Sequence, residues 1–286
     1  MGFSTRGVKK YESCLWSPWG SQMVSDIHHT GTNRGAGRRK SGRRKYSPPT
    51  LRSEIGLLEL LSRIGRSQLS NAQLDFLQPP SNGSASSDVR LYYSGDLELL
   101  RRPGVAIVGA RDVSEEGYQR ASRLARELVQ AGVVVVSGLA KGVDAAAHKS
   151  AISAGGSTVA VIGTPLDKAY PAENAALQEE LYLNHLLISP FVDGERVYPS
   201  NFPKRNRVMA AVSDATVIVE ASDSSGTLHQ AAECQRIGRW LFIMQSVAND
   251  PTLKWPGKFL GKPKTAVISS TADVVGAISN DQVESD

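Results

Sequence analysis

From Gly104 onward, short apolar runs alternate with amphipathic stretches. Val105 to Val108 and Val133 to Val136 are apolar without alternation, so each predicts a strand covered on both faces, as in a parallel sheet. The two runs begin 28 residues apart, the length of a strand-helix-strand unit. Between them Tyr118, Ala121, Leu124, Ala125, Leu128 and Val129 recur at helical spacing. Glu115 and Glu116 stand in the first turn, where the positive end of the helix dipole favours them, and Gly132 stops the helix. Beyond His148 the pattern continues. It predicts strands at Ser157 to Gly163, His185 to Ser189, Thr216 to Glu220, Trp240 to Met244 and Ala266 to Ser269. Helices are predicted at Ala172 to Leu183, Pro203 to Val212, Gly226 to Ile237 and Thr271 to Ile278. Such alternation makes an α/β protein with a doubly wound, mostly parallel sheet, whose ligand crevice lies outside the carboxyl ends of the strands.

Upstream the pattern differs. Leu51, Ile55, Leu58, Leu61 and Ile64 share a helical face, a second short helix is predicted around Leu74 to Leu77, and Pro79 to Ser87 reads as a linker. Val89 to Pro103 leads into the first strand. The expected organisation is therefore a basic disordered tail over residues 1–50, a short helical segment and linker over 51–88, and the main domain over 89–286.

Charge supports that division. Residues 1–50 carry a net charge of +8 and residues 51–286 a net of −3, so the overall +5 belongs to the tail. Seven of the tail's ten Lys and Arg fall between Arg34 and Lys45, in a Gly/Ser-rich stretch that cannot build a core. It is read either as an unspecific phosphate holder or as a solvated extension. The 41% apolar content is ordinary for an α/β protein, and two cysteines, Cys14 and Cys234, suit a reducing cytoplasm rather than a disulfide scaffold. No apolar stretch of about 18 residues offers a membrane span.

The chemistry predicted from this pattern is anion binding. Two strands leave the sheet through small-residue turns, Gly109-Ala110-Arg111 and Ser137-Gly138-Leu139, where the next helix begins with unpaired N–H groups. Neither the dinucleotide Gly-x-Gly-x-x-Gly pattern nor a Gly-Lys-Ser/Thr phosphate loop is present, and Arg111 implies a phosphate met by a side chain as well as by backbone. The stretch Asn201 to Val212 holds a local conflict. Pro203 suits a first helical turn, yet Lys204, Arg205 and Arg207 follow where the dipole repels cations by roughly 0.3 to 1 kcal/mol each. Lys204 and Arg207 share a face and Arg205 lies about 100° round, so two cations can converge on one anion, or the face is solvated or paired with acids such as Asp193 and Glu195. Ser225, Gly226 and Thr227 open a further helix with hydroxyls and amides around a glycine, again an anion cradle.

These stretches together resemble the DprA/Smf family of DNA-processing proteins. LYYSGD at 91–96, VAIVGAR at 105–111, SGLAKGVDAAAH at 137–148, Tyr170-Pro171, FPKRNR at 202–207 and SGTL at 225–228 fall in the family's order and spacing, over roughly Leu91 to Phe242. The resemblance implies an extended Rossmann-like fold that binds single-stranded DNA without catalysis or sequence preference. Its members help load a RecA-type recombinase during uptake of transforming DNA. By motif, Gly109, Arg111, Ser137, Gly138, Lys141, Lys204, Arg205, Asn206, Arg207, Ser225, Gly226 and Thr227 would form the DNA crevice, with no cofactor and no metal. Asp144 and His148 also match and are read as structural, Asp144 aiding a helix start and His148 bonding locally. A homodimer would double the phosphate track. Departures are Ile243-Met244-Gln245-Ser246 where the family shows a Pro-Gly turn, Ser189-Pro190 where Ser-Glu is usual, and no winged-helix pattern at the C-terminal end.

Two other readings share the same donors. One is a nucleotide-sensing module that binds a small ligand in the crevice. The other is a nucleotide phosphoribohydrolase of the Lonely-guy type, whose Gly-Gly-x-Gly-Thr-x-x-Glu signature ends on an acid. Here Gln230 stands at that place, and glutamine can neither take a proton nor stabilise a developing cation by charge.

Overall fold

The computed structural model describes residues 45–66 and 88–283. The helix expected around Leu74 to Leu77, the linker and the basic run up to Arg44 lie outside the described residues. Nine strands form one sheet in the order β1-β2-β6-β5-β4-β3-β7-β8-β9. Seven of them run parallel: β3 (Gly104–Val108), β4 (Val134–Ser137), β5 (Thr158–Val161), β6 (Leu186–Ser189), β7 (Ala215–Ile218), β8 (Trp240–Met244) and β9 (Thr265–Ile268). This is the doubly wound, Rossmann-like α/β architecture expected from the alternation.

Period-two geometry explains why these strands read as unbroken apolar runs. Val105 and Ile107 enter the core on one face of the sheet, while Ala106 and Val108 enter the core on the other. The first face is covered by α2 (Glu115–Gln130), α3 (Val143–Ser153) and α7 (Thr271–Val283). Ser114 caps α2 by accepting the Gly117 amide at 3.0 Å, and Ala121, Leu124, Ala125 and Leu128 of the expected residues supply its buried side, whereas Tyr118 is 40% exposed. The second face is covered by α1 (Leu57–Arg63), α5 (Asn201–Val212) and α6 (Thr227–Arg236). A smaller cluster packs α4 (Ala175–Asn184) against Ala160, Ile162 and Leu187.

Two strands escape the periodicity argument. Ser53–Gly56 forms β1, antiparallel to β2 (Arg90–Gly95), and β2 pairs antiparallel with β6. The single helical face drawn from Leu51 to Ile64 is therefore corrected: its first half is loop and strand, and Leu58, within α1, is 39% exposed. Leu51 is 84% exposed and Ile55 lies in β1 opposite Leu91, while Leu57, Leu60, Leu61 and Ile64 are the buried residues at and after α1. A four-residue strand has too few positions to betray its period, and only its partner about 35 residues away fixes it.

This edge is tied firmly to the sheet. The buried Arg66 guanidinium donates to both carboxylate oxygens of Asp214 at 2.8 and 2.6 Å, and also to the Leu100 and Arg102 carbonyls. Asp214 in turn accepts the Gly104 amide at the start of β3, at 2.8 Å. Residues 46–49 are likewise packed: the Tyr46 hydroxyl donates to the Leu166 carbonyl at 2.8 Å and accepts from Gln178 at 2.9 Å. Burial pushes the Tyr46 phenol well above its ordinary range.

Candidate functional site

The strand order turns back between β3 and β7, since β4 to β6 lie to one side of β3 and β8 and β9 lie beyond β7. A crevice is expected where neighbouring loops diverge in this way, and a cleft of about 620 Å³ opens there. Val108 to Asp112 line it from the end of β3. Ala140 and Asp144 close one side, and Phe202, Pro203, Arg205, Asn206 and Met209 of α5 a second. Glu220, Ser222, Ser225 to Thr227 and Gln230 close a third, while Lys204 and Arg207 lie outside the lining. Asp250 and Leu253, from the segment after β8, complete the rim.

Backbone approach forms the floor. Ala110 donates its amide to the Glu220 carbonyl at 2.7 Å, which brings the β3 turn against the end of β7. A Cβ at Gly109 would stand 2.6 Å from Val143 Cγ2 and 2.9 Å from the Glu220 carbonyl oxygen, so only glycine fits. The Thr227 hydroxyl donates to the Gly109 carbonyl at 3.1 Å and accepts from Ser225 Oγ at 2.9 Å. Ser225 Oγ also accepts the Thr227 amide at 3.2 Å. These hydroxyls thus knit the start of α6 to the β3 turn. The amide-and-hydroxyl cradle expected from sequence is partly spent on holding two loops together.

The three cations of α5 separate as their angular spacing requires. Lys204 is exposed, and Arg207 Nε lies 3.4 Å from Glu233 on α6. Arg205 turns inward and is 6% exposed. Its Nη1 donates to the Gly138 carbonyl at 2.6 Å and the Val161 carbonyl at 2.7 Å, and its Nε donates to Asn206 Oδ1 at 2.9 Å. A Cβ added at Gly138 would stand inside this guanidinium. Burial lowers the Arg205 pKa, and the Asp144 carboxylate opposes that shift. Asp144 is itself raised by burial and held down chiefly by Arg205. A buried cation and anion therefore form part of the cleft wall, and for Arg205 the dipole conflict at the start of α5 is resolved with carbonyls and a carboxylate rather than with solvent.

The remaining expected residues divide between cleft and scaffold. Gly109, Arg111, Arg205, Asn206, Ser225, Gly226 and Thr227 line the cleft together. Ser137 does not: it is fully buried and its hydroxyl donates to the Ile107 carbonyl at 2.6 Å. Gly138 provides the seat for Arg205, and Lys141 pairs with Glu173 at 2.8 Å beside the cleft. His148 is fully buried, with Nδ1 2.7 Å from the Thr158 hydroxyl, which donates to the Val135 carbonyl. That arrangement places the proton on Nδ1, and burial pushes the imidazole pKa down to about 3.

From sequence Tyr170 and Phe202 are candidate base-stacking aromatics that could equally be core, while Asn174 has no sequence signal. The exposed Arg111 guanidinium lies over the Phe202 ring at 5.4 Å, and Phe202 packs on Tyr170 with centroids 5.6 Å apart. Tyr170 is 50% exposed, so the pair presents an aromatic surface next to a free-standing cation. Asn174 donates to the Leu139 and Ala140 carbonyls at 3.0 and 3.2 Å, fixing the turn after β4, where Leu139 adopts a φ of 60°. The Tyr-Pro pair at 170–171 marked this neighbourhood without revealing what Asn174 holds. Glu220 is taken up by the Ser114 amide at 3.0 Å and hydroxyl at 2.6 Å, which offsets its charge at the cleft. Among the described residues no cluster of His, Cys, Asp or Glu could hold a metal ion, and no helix is long and apolar enough to cross a membrane.

Comparison with known proteins places this geometry. The pneumococcal DNA processing protein DprA is 41% identical over 156 residues, which cover 54% of this chain and 55% of that protein. The Bacillus subtilis DNA processing protein DprA is 32% identical over 181 residues, 63% of this chain and 61% of that one. The chain thus spans little more than half the length of these relatives. A crystal structure of the pneumococcal protein matches with a TM-score of 0.61 at 31% identity, covering 74% of this chain and 80% of that one. A DNA processing protein A from Helicobacter pylori, described for its single-stranded DNA binding mode, matches with a TM-score of 0.61 at 29% identity, covering 71% and 93%. The profile of the family described as DNA recombination-mediator protein A matches residues 82–278, more than half of the sequence, and the chain belongs to that family.

Proposed function

We propose that the cleft between β3 and β7 binds single-stranded DNA through its phosphates, without catalysis and without sequence preference. The observation that carries this reading is the convergence of the Gly109–Arg111 turn, the Ser225–Thr227 helix start and α5 on one crevice, with exposed Arg111 held over Phe202. Phosphates meet Arg111 and the exposed Lys204, and bases rest on Tyr170 and Phe202, because any base has a π-face to stack. Arg205 acts from within the wall as a fixed positive charge. On this reading the protein assists DNA processing and recombination. Loading of a RecA-type recombinase, a role in natural transformation and homodimer formation are carried as the family resemblance implies them.

Neutralising about four phosphates gives a log-log salt slope near −3 for single strands. The test is anisotropy of labelled oligonucleotides against salt, with Arg111→Ala/Lys204→Ala compared to the parent. The double substitution should weaken short and long strands alike. Binding left unchanged by the double substitution but lost on removing residues 1–44 would reject the cleft.

One observation favours a second reading, a small nucleotide ligand. Gln230 lines the cleft and is fully buried; its Nε2 donates to Thr216 at 3.1 Å, while Oε1 has no partner among the described residues. That oxygen suits a base N–H donor. Micromolar calorimetric binding of a mononucleotide with no affinity for oligomers would establish it in place of the first.

A further inference from the structure

The segment between β8 and β9 departs from the family's Pro-Gly pattern, and it is positively charged. Residues 245–264 carry Lys254, Lys258, Lys262 and Lys264 against Asp250 alone, in a region whose total from residue 51 onward is −3. Its course follows from the strand register. Met244 at the end of β8 pairs with Ile268, whereas Thr265, directly after Lys264, pairs with Leu241. The segment therefore leaves the sheet at the cleft rim and returns at the opposite end, descending the height of a five-residue strand, about 16 Å.

Packing fixes the segment. Trp255 is fully buried and its indole donates to the Ala221 carbonyl at 2.9 Å. Asp223 accepts the Lys254 and Trp255 amides at 3.1 and 2.7 Å. Phe259 is buried with an edge-on contact to Trp255, and its carbonyl accepts from Gln235 of α6 at 3.3 Å. Leu253 and Leu260 pack on the same core. With these apolar residues turned inward, Lys254, Lys258 and Lys262 are exposed, four residues apart. Lys262 lies over the Phe259 ring at 5.3 Å. Among the described residues no carboxylate lies within ion-pair distance of these three, since Asp223 is committed to backbone amides, Asp281 to Lys264 and Asp250 to Thr252.

We infer that Lys254, Lys258 and Lys262 form a second phosphate track that receives a DNA strand leaving the cleft past Leu253. The inference rests on the cleft being a single-stranded DNA site. Its chemistry is that of a polyanion: three like charges held on a rigid ramp repel one another until a backbone with regular negative charge lies across them, and phosphates supply that charge by counterion release. Leu253 lines the cleft and Lys254 follows it, so the ramp is continuous with the site.

The experiment compares the full chain with Lys254→Gln/Lys258→Gln/Lys262→Gln and with the corresponding triple Arg variant. Labelled oligothymidylates of about 6 and about 25 nucleotides, the shorter filling the cleft alone, are titrated at several salt concentrations. The Gln variant should lower the magnitude of the salt slope on the long strand by about 2, which between about 50 and about 200 mM salt is roughly a fifteenfold difference in affinity loss. The short strand should be bound as by the parent, and the Arg variant should restore the long-strand slope. Equal effects on both lengths, or none, overturn the track. So does a Gln variant that loses only binding to anionic phospholipid vesicles. Arg111→Ala separates the two readings: weakened binding of both lengths, with the Gln variant unchanged, rejects the track and keeps the cleft. A parent protein that fails to bind the short strand rejects both.

Discussion

Replacing Arg205 by Met tests whether this residue builds the cleft wall or touches DNA directly. In the structure its guanidinium is 6% exposed, satisfies the Gly138 and Val161 carbonyls, and balances the Asp144 carboxylate. Methionine fills similar volume but leaves two carbonyls unpaired and an anion uncompensated. Removing one partner of a buried charge pair costs about 3 to 5 kcal/mol. Urea unfolding followed by circular dichroism should show a loss of that size, a large part of the roughly 5 to 15 kcal/mol of a typical domain. The deficit should also depend on pH. Burial already holds the folded-state pKa of Asp144 above its unfolded value, so the folded protein binds the extra proton and stability contributed by this group rises as pH falls through that raised pKa. Without Arg205 the pKa rises further, and the variant's deficit should shrink as pH falls toward the unfolded-state pKa of about 3.9. Folded Arg205→Met should keep most of its affinity for single strands, because Arg111 and Lys204 remain. A variant of near-parental stability at pH 7 that has lost DNA binding would refute the argument and make Arg205 a direct phosphate contact.

Two further outcomes follow from buried polar groups. His148 is held neutral with a pKa pushed down to about 3, so above its unfolded pKa of about 6.5 it costs nothing, while below it the unfolded chain takes up a proton that the folded one refuses. It should therefore subtract stability as pH falls from about 6.5 toward 3, reaching about 2 kcal/mol at pH 5, and His148→Gln should flatten that part of a stability profile measured in urea; an unchanged profile would discount the burial argument. Arg66→Ala should destabilise by about 2 to 4 kcal/mol by leaving the part-buried Asp214 without its guanidinium, visible as an early urea midpoint, whereas a change below about 1 kcal/mol would mean that the antiparallel edge does not depend on this pair.

The apolar runs, the glycine turns and the period of α2 determined most of the fold by themselves, because these signals are local: a strand buried on both faces must be apolar throughout, and a helix must repeat its buried side every turn. The same locality marked the ends of β3 and β7 and the start of α5, which the structure gathers around one cleft. Tertiary structure alone decided which of those groups reach the cleft. Lys204, Arg205 and Arg207 could be placed on different sides of a helix from their spacing, yet the choice of Arg205 as the inward residue depends on Gly138 and Val161, carbonyls 67 and 44 residues away. Ser137, a motif position, spends its hydroxyl inside the sheet for the same nonlocal reason. Strands β1 and β2 and the Asn174 clamp were also beyond local reach, since pairing across an edge, or a side chain reaching another loop's carbonyls, leaves no periodic trace in either segment.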